Sequence, residues 1–224
     1  MRNALFGALA SVLIVVGLGA PAQAQFQASV YGGASMSNDS SVDVVGGGSG
    51  PSWSGDVSWD GGSFEMPPYY GFRGTYWLGA FGQPNWGIAL DYVHNKVKAD
   101  PLPSGVTTLE FTDGLNQVTL NGLYRFKNET AFTPYVGVGA GISIPHVEYQ
   151  YGVGPKTFEY QMAGGVFQAM GGVDYAINDW LSVFGEYRAS YATNEADLNG
   201  GGTLSADVFS HHVAVGLTYT FSGL

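Results

Sequence analysis

The sequence predicts an all-β fold, an eight-stranded antiparallel transmembrane outer-membrane β-barrel, and three observations carry that prediction. From Ser210 to Phe221, small or polar residues (Ser210, His212, Ala214, Gly216, Thr218, Thr220) alternate with bulky, mostly apolar ones (His211, Val213, Val215, Leu217, Tyr219, Phe221). A period of two describes a strand with lipid on one face and a polar interior on the other. The N-terminus reads as a cleavable signal peptide over residues 1–24: Arg2 precedes an apolar run from Ala4 to Ala20, and Ala22-Gln23-Ala24 has the small-x-small pattern of a cleavage site. Residues 25–224 then form a single barrel domain. Thirty-five glycines and 14% aromatic residues against 12% charged ones suit strands with small inward residues and aromatic girdles, and they are poor material for helices. With no cysteine in the chain, disulfide and thiol chemistry are excluded.

Alternation and turn residues place strands near 26–36, 68–79, 85–98, 113–126, 132–148, 165–177, 181–194 and 206–221. The count is even, as closure without a free edge requires. Connections alternate between long (37–67, 99–112, 149–164, 195–205) and short (80–84, 127–131, 178–180). This puts the long loops outside the cell and the tight turns and both termini in the periplasm. Trp86, Phe126, Phe132, Trp180, Tyr219 and Phe221 then fall at the short-turn ends, where an aromatic girdle belongs. The first long loop is rich in Gly, Ser, Asp and Trp and is longer than a hairpin needs. Its Trp53 and Trp59 are expected to stack on sugar rings or to sit among headgroups.

Parity also sorts the charges. Arg73, Arg125 and Arg188 share the inward face with Asp91, Asp174 and Glu186, which predicts a paired, hydrogen-bonded plug rather than an aqueous channel. Without the leader, seven basic residues stand against eighteen acidic ones, a net charge of −11. Thirteen of the acids (Asp39, Asp43, Asp56, Asp60, Glu65, Asp100, Glu110, Asp113, Glu148, Glu159, Glu195, Asp197, Asp207) fall at the long-loop end. Calcium or magnesium bridging such acidic outer loops to the phosphates of lipopolysaccharide is one reading, and a solvated loop face is the other. Nothing is basic enough for nucleic acid, no nucleotide or calcium-hand motif is present, and a monomer is expected.

All four histidines, His94, His146, His211 and His212, lie in the outer halves of their strands, and eight residues above Trp86 or nine above Phe221, at about 3.4 Å per residue and about 45° of tilt, is roughly 20 Å. That is headgroup height. Parity turns His94, Asn116 and His146 outward on three neighbouring strands, with Glu110 and Glu148 just beyond, so they are expected to form one polar patch on the barrel wall. Pro145 leaves a choice, because a bulge there would send His146 and Glu148 to the other face.

Several segments carry a more specific signal: Pro67-Pro68-Tyr69-Tyr70-Gly71, the run from Leu109 to Asn116, Tyr135 to Glu148, Phe184-Gly185-Glu186-Tyr187, and Asn194 to Leu204. Together they resemble the lipid A oxidase family of alphaproteobacterial outer membranes, over nearly the whole mature chain. The resemblance implies oxygen-dependent oxidation of the proximal glucosamine of lipid A to 2-aminogluconate, with hydrogen peroxide as co-product. It also directs attention to His94, Glu110, Asp113, Asn116, His146, Glu148, Glu195 and Asp197 as catalytic residues. Triplet oxygen reacts poorly with closed-shell sugars, so a redox metal, iron or copper, held by His94, His146 and Glu148, is expected. Two alternatives stand beside this: a noncatalytic structural or surface-interaction barrel, and a lipid A hydrolase or acyltransferase using Ser210 beside His211 and His212.

Overall fold

Residues 25–46 and 49–221 are described by a computed structural model, and the expected signal peptide lies outside them. Eight long strands, β1 (Gln25–Ser37), β2 (Tyr70–Trp77), β3 (Trp86–Ala99), β4 (Val106–Arg125), β5 (Phe132–Tyr151), β6 (Gly164–Ala176), β7 (Leu181–Ala192) and β8 (Val208–Phe221), each pair antiparallel with the next. β8 pairs back onto β1, from Phe26↔Phe221 to Ser37↔Ser210, so the sheet closes and leaves no edge. Val213, Val215, Leu217 and Tyr219 of β8 are exposed on its outer face, while Ser210, His212, Ala214 and Thr218 are buried within. Trp86–Tyr124–Phe126, Phe132–Tyr175, Trp180–Tyr219–Phe221 and Phe26–Phe221 make ring contacts that build the girdle at the short-turn end.

The lumen is filled. Arg73 reaches Asp91 at 2.6 Å and Glu186 at 2.7 Å, and Arg188 reaches the same two carboxylates at 3.0 and 2.9 Å. Tyr135 donates to Glu186 at 2.8 Å and Tyr31 donates to Asp91. Two arginines and two carboxylates therefore form one neutral cluster in which every charge is paired, the condition for a tolerable buried ion set. The expected third pair does not form. Arg125 lies 4.0 Å over the Trp77 ring and donates to the Pro84 carbonyl, while Asp174 accepts from Ser182. Both line a cavity of about 80 Å³ at the short-turn end of the lumen, below the four-charge cluster.

The long-loop end departs most from expectation. β4 begins at Val106 rather than 113 and β5 runs to Tyr151, so the loop expected over 99–112 is largely the tip of a strand pair. The first loop folds as well. Ser40–Val45 pairs with Trp53–Val57 and with Thr203–Ala206, which in turn pairs with Glu195–Asp197, giving a four-stranded sheet. This small sheet and the tips of β3–β5 share a core of Val42, Val44, Val97, Leu109, Phe111 and Leu204, among others. Neither tryptophan is offered to sugars or headgroups: Trp59 is buried, stacks on Phe111 and donates to Ser40, and half-buried Trp53 donates to the Tyr149 hydroxyl. Burial of large apolar area explains why a Gly- and Ser-rich loop folds as a cap instead of remaining loose.

Candidate functional site on the outer wall

The polar patch exists, on the outward face of β3, β4 and β5 where the barrel meets the cap. His94 sits opposite Tyr70 of β2 on one side and Asn116 of β4 on the other. Its ring stacks on Tyr70 with centroids 4.9 Å apart, its Nδ1 meets Asn116 Oδ1 at 3.0 Å, and the Tyr92 hydroxyl donates to that same oxygen at 2.8 Å. The amide nitrogen of Asn116 donates to the Ile144 carbonyl at 3.3 Å. His94 Nε2 is buried with no hydrogen-bond partner among the described residues.

A bulge shapes the rest. Between the pairs Glu110↔Glu148 and Leu115↔Pro145, β4 carries four residues where β5 carries two, His146 and Val147. The surplus pushes Thr112, Asp113 and Gly114 out of the sheet plane over the wall, as a bulge does. Gly114 has φ +121°, and a Cβ there would stand 2.5 Å from Asn116 Oδ1 and 2.6 Å from His94 Nδ1, so only glycine fits. Pro145 does not reverse the faces. Its carbonyl accepts from Gln161 at 3.0 Å, so its missing N–H also points to that side, into the break between the short strand Thr157–Tyr160 and β6. β5 stays regular, Val147 and Tyr149 point into the core, and His146 and Glu148 point outward.

His146 is held edge-on by Phe158 and Tyr160, at 4.4 and 4.7 Å between centroids. Its Nδ1 lies 3.4 Å from Glu148 Oε1 and 3.8 Å from Asp113 Oδ2. The Tyr160 hydroxyl donates to the Asp113 carbonyl at 2.9 Å, which fixes the bulge. Glu148 also accepts from Thr112 at 3.2 Å and from Lys156 Nζ at 2.9 Å. Of the thirteen acids at this end, Glu148 alone is buried, and Asp113 is half-exposed. Glu110, beyond the bulge from the membrane-spanning part of β4, pairs in register with Glu148. Partial burial, and then the neighbouring Glu148 charge, push its carboxyl above the ordinary carboxylate range.

Six of the eight expected residues therefore gather on one wall: His94, Glu110, Asp113, Asn116, His146 and Glu148. Glu195 and Asp197 do not join them. They lie exposed on the cap sheet, where the backbone of Asp197 exchanges hydrogen bonds with the Gln161 side chain. Of the expected metal ligands, His146 and Glu148 stand beside Asp113, the donor atoms of these three lying within 4.8 Å of one another, while His94 is set apart against Asn116 and Tyr70. The remaining histidines are dispersed: His211 faces outward on β8 against the Tyr187 hydroxyl, and His212 faces into the lumen against Ser190. Ser210 bonds Ser37 instead of either neighbour, and the buried Ser190–His212 pair lies inside the wall, out of reach of a lipid ester. Parity reasoning missed Lys156, Phe158 and Tyr160; Tyr70 and Thr112 fall within segments that carry the resemblance, and Tyr92 shares the outward face of β3 with His94.

Solved structures similar in fold include Neisserial surface protein A (17% identity, 91% of this chain and 100% of that one, TM-score 0.49). The N-terminal β-barrel domain of Pseudomonas aeruginosa OprF is 11% identical over 89% of this chain and 99% of that one, with a TM-score of 0.48. The outer membrane protein AlkL in lipid bilayers is 17% identical over 92% of this chain and 93% of that one, with a TM-score of 0.50. A search of curated proteins gives no match. At 17% identity the likeness to AlkL speaks to fold alone. The model of the outer membrane protein beta-barrel domain matches residues 9–222; with the closed eight-stranded sheet, this shows that the chain belongs to that family and resides in the outer membrane.

Proposed function

We propose that the protein acts on lipid A of the outer leaflet at its outward wall, oxidising the proximal glucosamine to 2-aminogluconate with oxygen as the electron acceptor. The observation that carries this reading is the place of the polar cluster. His94, Asn116, His146 and Glu148 sit directly above the lipid-facing Ile88, Leu90, Leu120, Val138 and Ile142, on the outside of a plugged barrel. Half-exposed Asp113 and partly exposed Glu110 open this buried cluster to the outer leaflet, where acyl chains offer a carboxylate nothing, so a headgroup is the partner the cluster calls for. The reading sets the long loops and the cap outside the cell and both termini in the periplasm, which brings the cluster to the lipopolysaccharide leaflet. The resemblance to lipid A oxidases supplies the chemistry.

Oxidation at the anomeric carbon requires a free hemiacetal. The C1–OH loses its proton, the C1–H bond gives up its electron pair, and a lactone forms. Oxygen takes those two electrons with two protons and leaves as hydrogen peroxide, and water opens the lactone to the carboxylate, a net gain of one oxygen atom. Buried Glu148, beside His146, is placed to accept the hydroxyl proton. His94, aligned by Asn116 and Tyr70, and half-exposed Asp113 are placed to orient the sugar. Peroxide released on lipid A vesicles should fall roughly a hundredfold in Asn116→Ala and Glu148→Gln, since loss of positioning or of a base commonly costs that much. Unchanged release by both variants would remove the wall from the reaction. The second reading, a noncatalytic surface-interaction barrel, draws on the ordered cap and on Phe64, Met66 and Met162, which stand exposed around it.

A further inference from the structure

We propose that Asp113, His146 and Glu148 form a divalent metal site on the outer wall, and that Lys156 is the resident counter-cation that holds Glu148 until the ion enters. His146 is the first argument. Its side chain is only 5% exposed, yet Nδ1 has no hydrogen-bond partner among the described residues and points between two carboxylates. A buried ring nitrogen left without a partner is costly, and an ion between the carboxylates would satisfy it.

Distances are the second argument. Ligand atoms each about 2.1 Å from a tetrahedral ion stand about 3.4 Å apart. His146 Nδ1 and Glu148 Oε1 are 3.4 Å apart and Nδ1 and Asp113 Oδ2 3.8 Å, and the two carboxylates, within 4.8 Å of each other, draw together as the ion enters, a movement that half-exposed Asp113 is free to make. The supporting contacts hold each ligand in turn. Phe158 and Tyr160 fix the imidazole plane, Tyr160 fixes the Asp113 backbone, and Thr112 holds Glu148 Oε1. Half-exposed Asp113 leaves an entry path.

Charge is the third. Lys156 Nζ lies 2.9 Å from Glu148 Oε2 and 4.8 Å from the Phe158 ring, a positive group already standing at the edge of the site. A dication balances the two carboxylates, and Lys156 then swings away on its partly exposed stem. One imidazole with two carboxylates suits Mn²⁺, Fe²⁺ or Zn²⁺ better than cuprous ion, which prefers sulfur.

The site does not depend on the oxidase reading, so the test measures metal alone. Refolded full-length barrel in detergent, checked for folding by its heat-dependent mobility shift, would be titrated calorimetrically with Mn²⁺ and Zn²⁺. One saturable site per chain is expected, weakened roughly a hundredfold or more in His146→Ala and Asp113→Asn and tightened about tenfold in Lys156→Met. His211→Ala, remote on β8, should bind as the wild type does. Absence of a saturable site in folded wild type, or equal affinity in His146→Ala, would overturn the site; equal affinity in Lys156→Met would overturn the role given to the lysine.

Discussion

Gly114 decides whether the wall site can assemble. With φ at +121° and no room for a Cβ beside Asn116 and His94, Gly114→Ala must shift either the bulge or the His94 ring. Strain of this kind costs about 1–3 kcal/mol, and the variant should unfold at lower urea than wild type when followed by the folded-band mobility shift. Glu110 gives a pH-dependent counterpart. A carboxyl raised above its ordinary value favours folding when protonated, below about pH 4, and loses that contribution as pH rises through the folded value. Glu110→Gln should therefore melt at a higher temperature than wild type near pH 8, and the gap should close as the pH is lowered through the carboxylate range. His94, Asn116, His146 and Glu148 were legible in the sequence because strand parity and height fix where a side chain points. Tyr160 was not, since the four residues of strand from Thr157 show no usable period, and neither was Lys156, which stands just before that strand.

At the scale of elements, the barrel strands were read closely and the cap was not. Alternation over a dozen residues identifies β3, β5, β7 and β8, but Ser40–Val45, Trp53–Val57 and Thr203–Ala206 are too short, and too interrupted by glycine and serine, to stand out. Their pairing is fixed by contacts between segments some 150 residues apart. The bulge was hidden for a related reason: counting from either end of β4 gives a consistent parity, and only the partner strands reveal the surplus residues that bring Asp113 to His146. The cap core is testable through Trp59. Trp59→Ala should cost about 3–5 kcal/mol of cap stability. Protease should then cut between residues 38 and 69 while the eight barrel strands remain protected.

For the molecule as a whole, the neutral cluster of Arg73, Asp91, Glu186 and Arg188 ties β2, β3 and β7 together across the lumen. Removing one member leaves an uncompensated buried charge, so Arg188→Met should destabilise the barrel by about 3–5 kcal/mol in urea unfolding. A filled interior under a folded cap leaves the outside of the wall, rather than the lumen, as the surface for the lipid A chemistry proposed above. The measurement that bears most directly on that claim is a mass spectrum of lipid A with a free anomeric hydroxyl after incubation with the folded barrel, with and without air, beside His146→Ala. Gain of one oxygen atom on the proximal sugar, in air only and lost in the variant, is the predicted result; unmodified lipid A from a folded, metal-supplied barrel in air would contradict it.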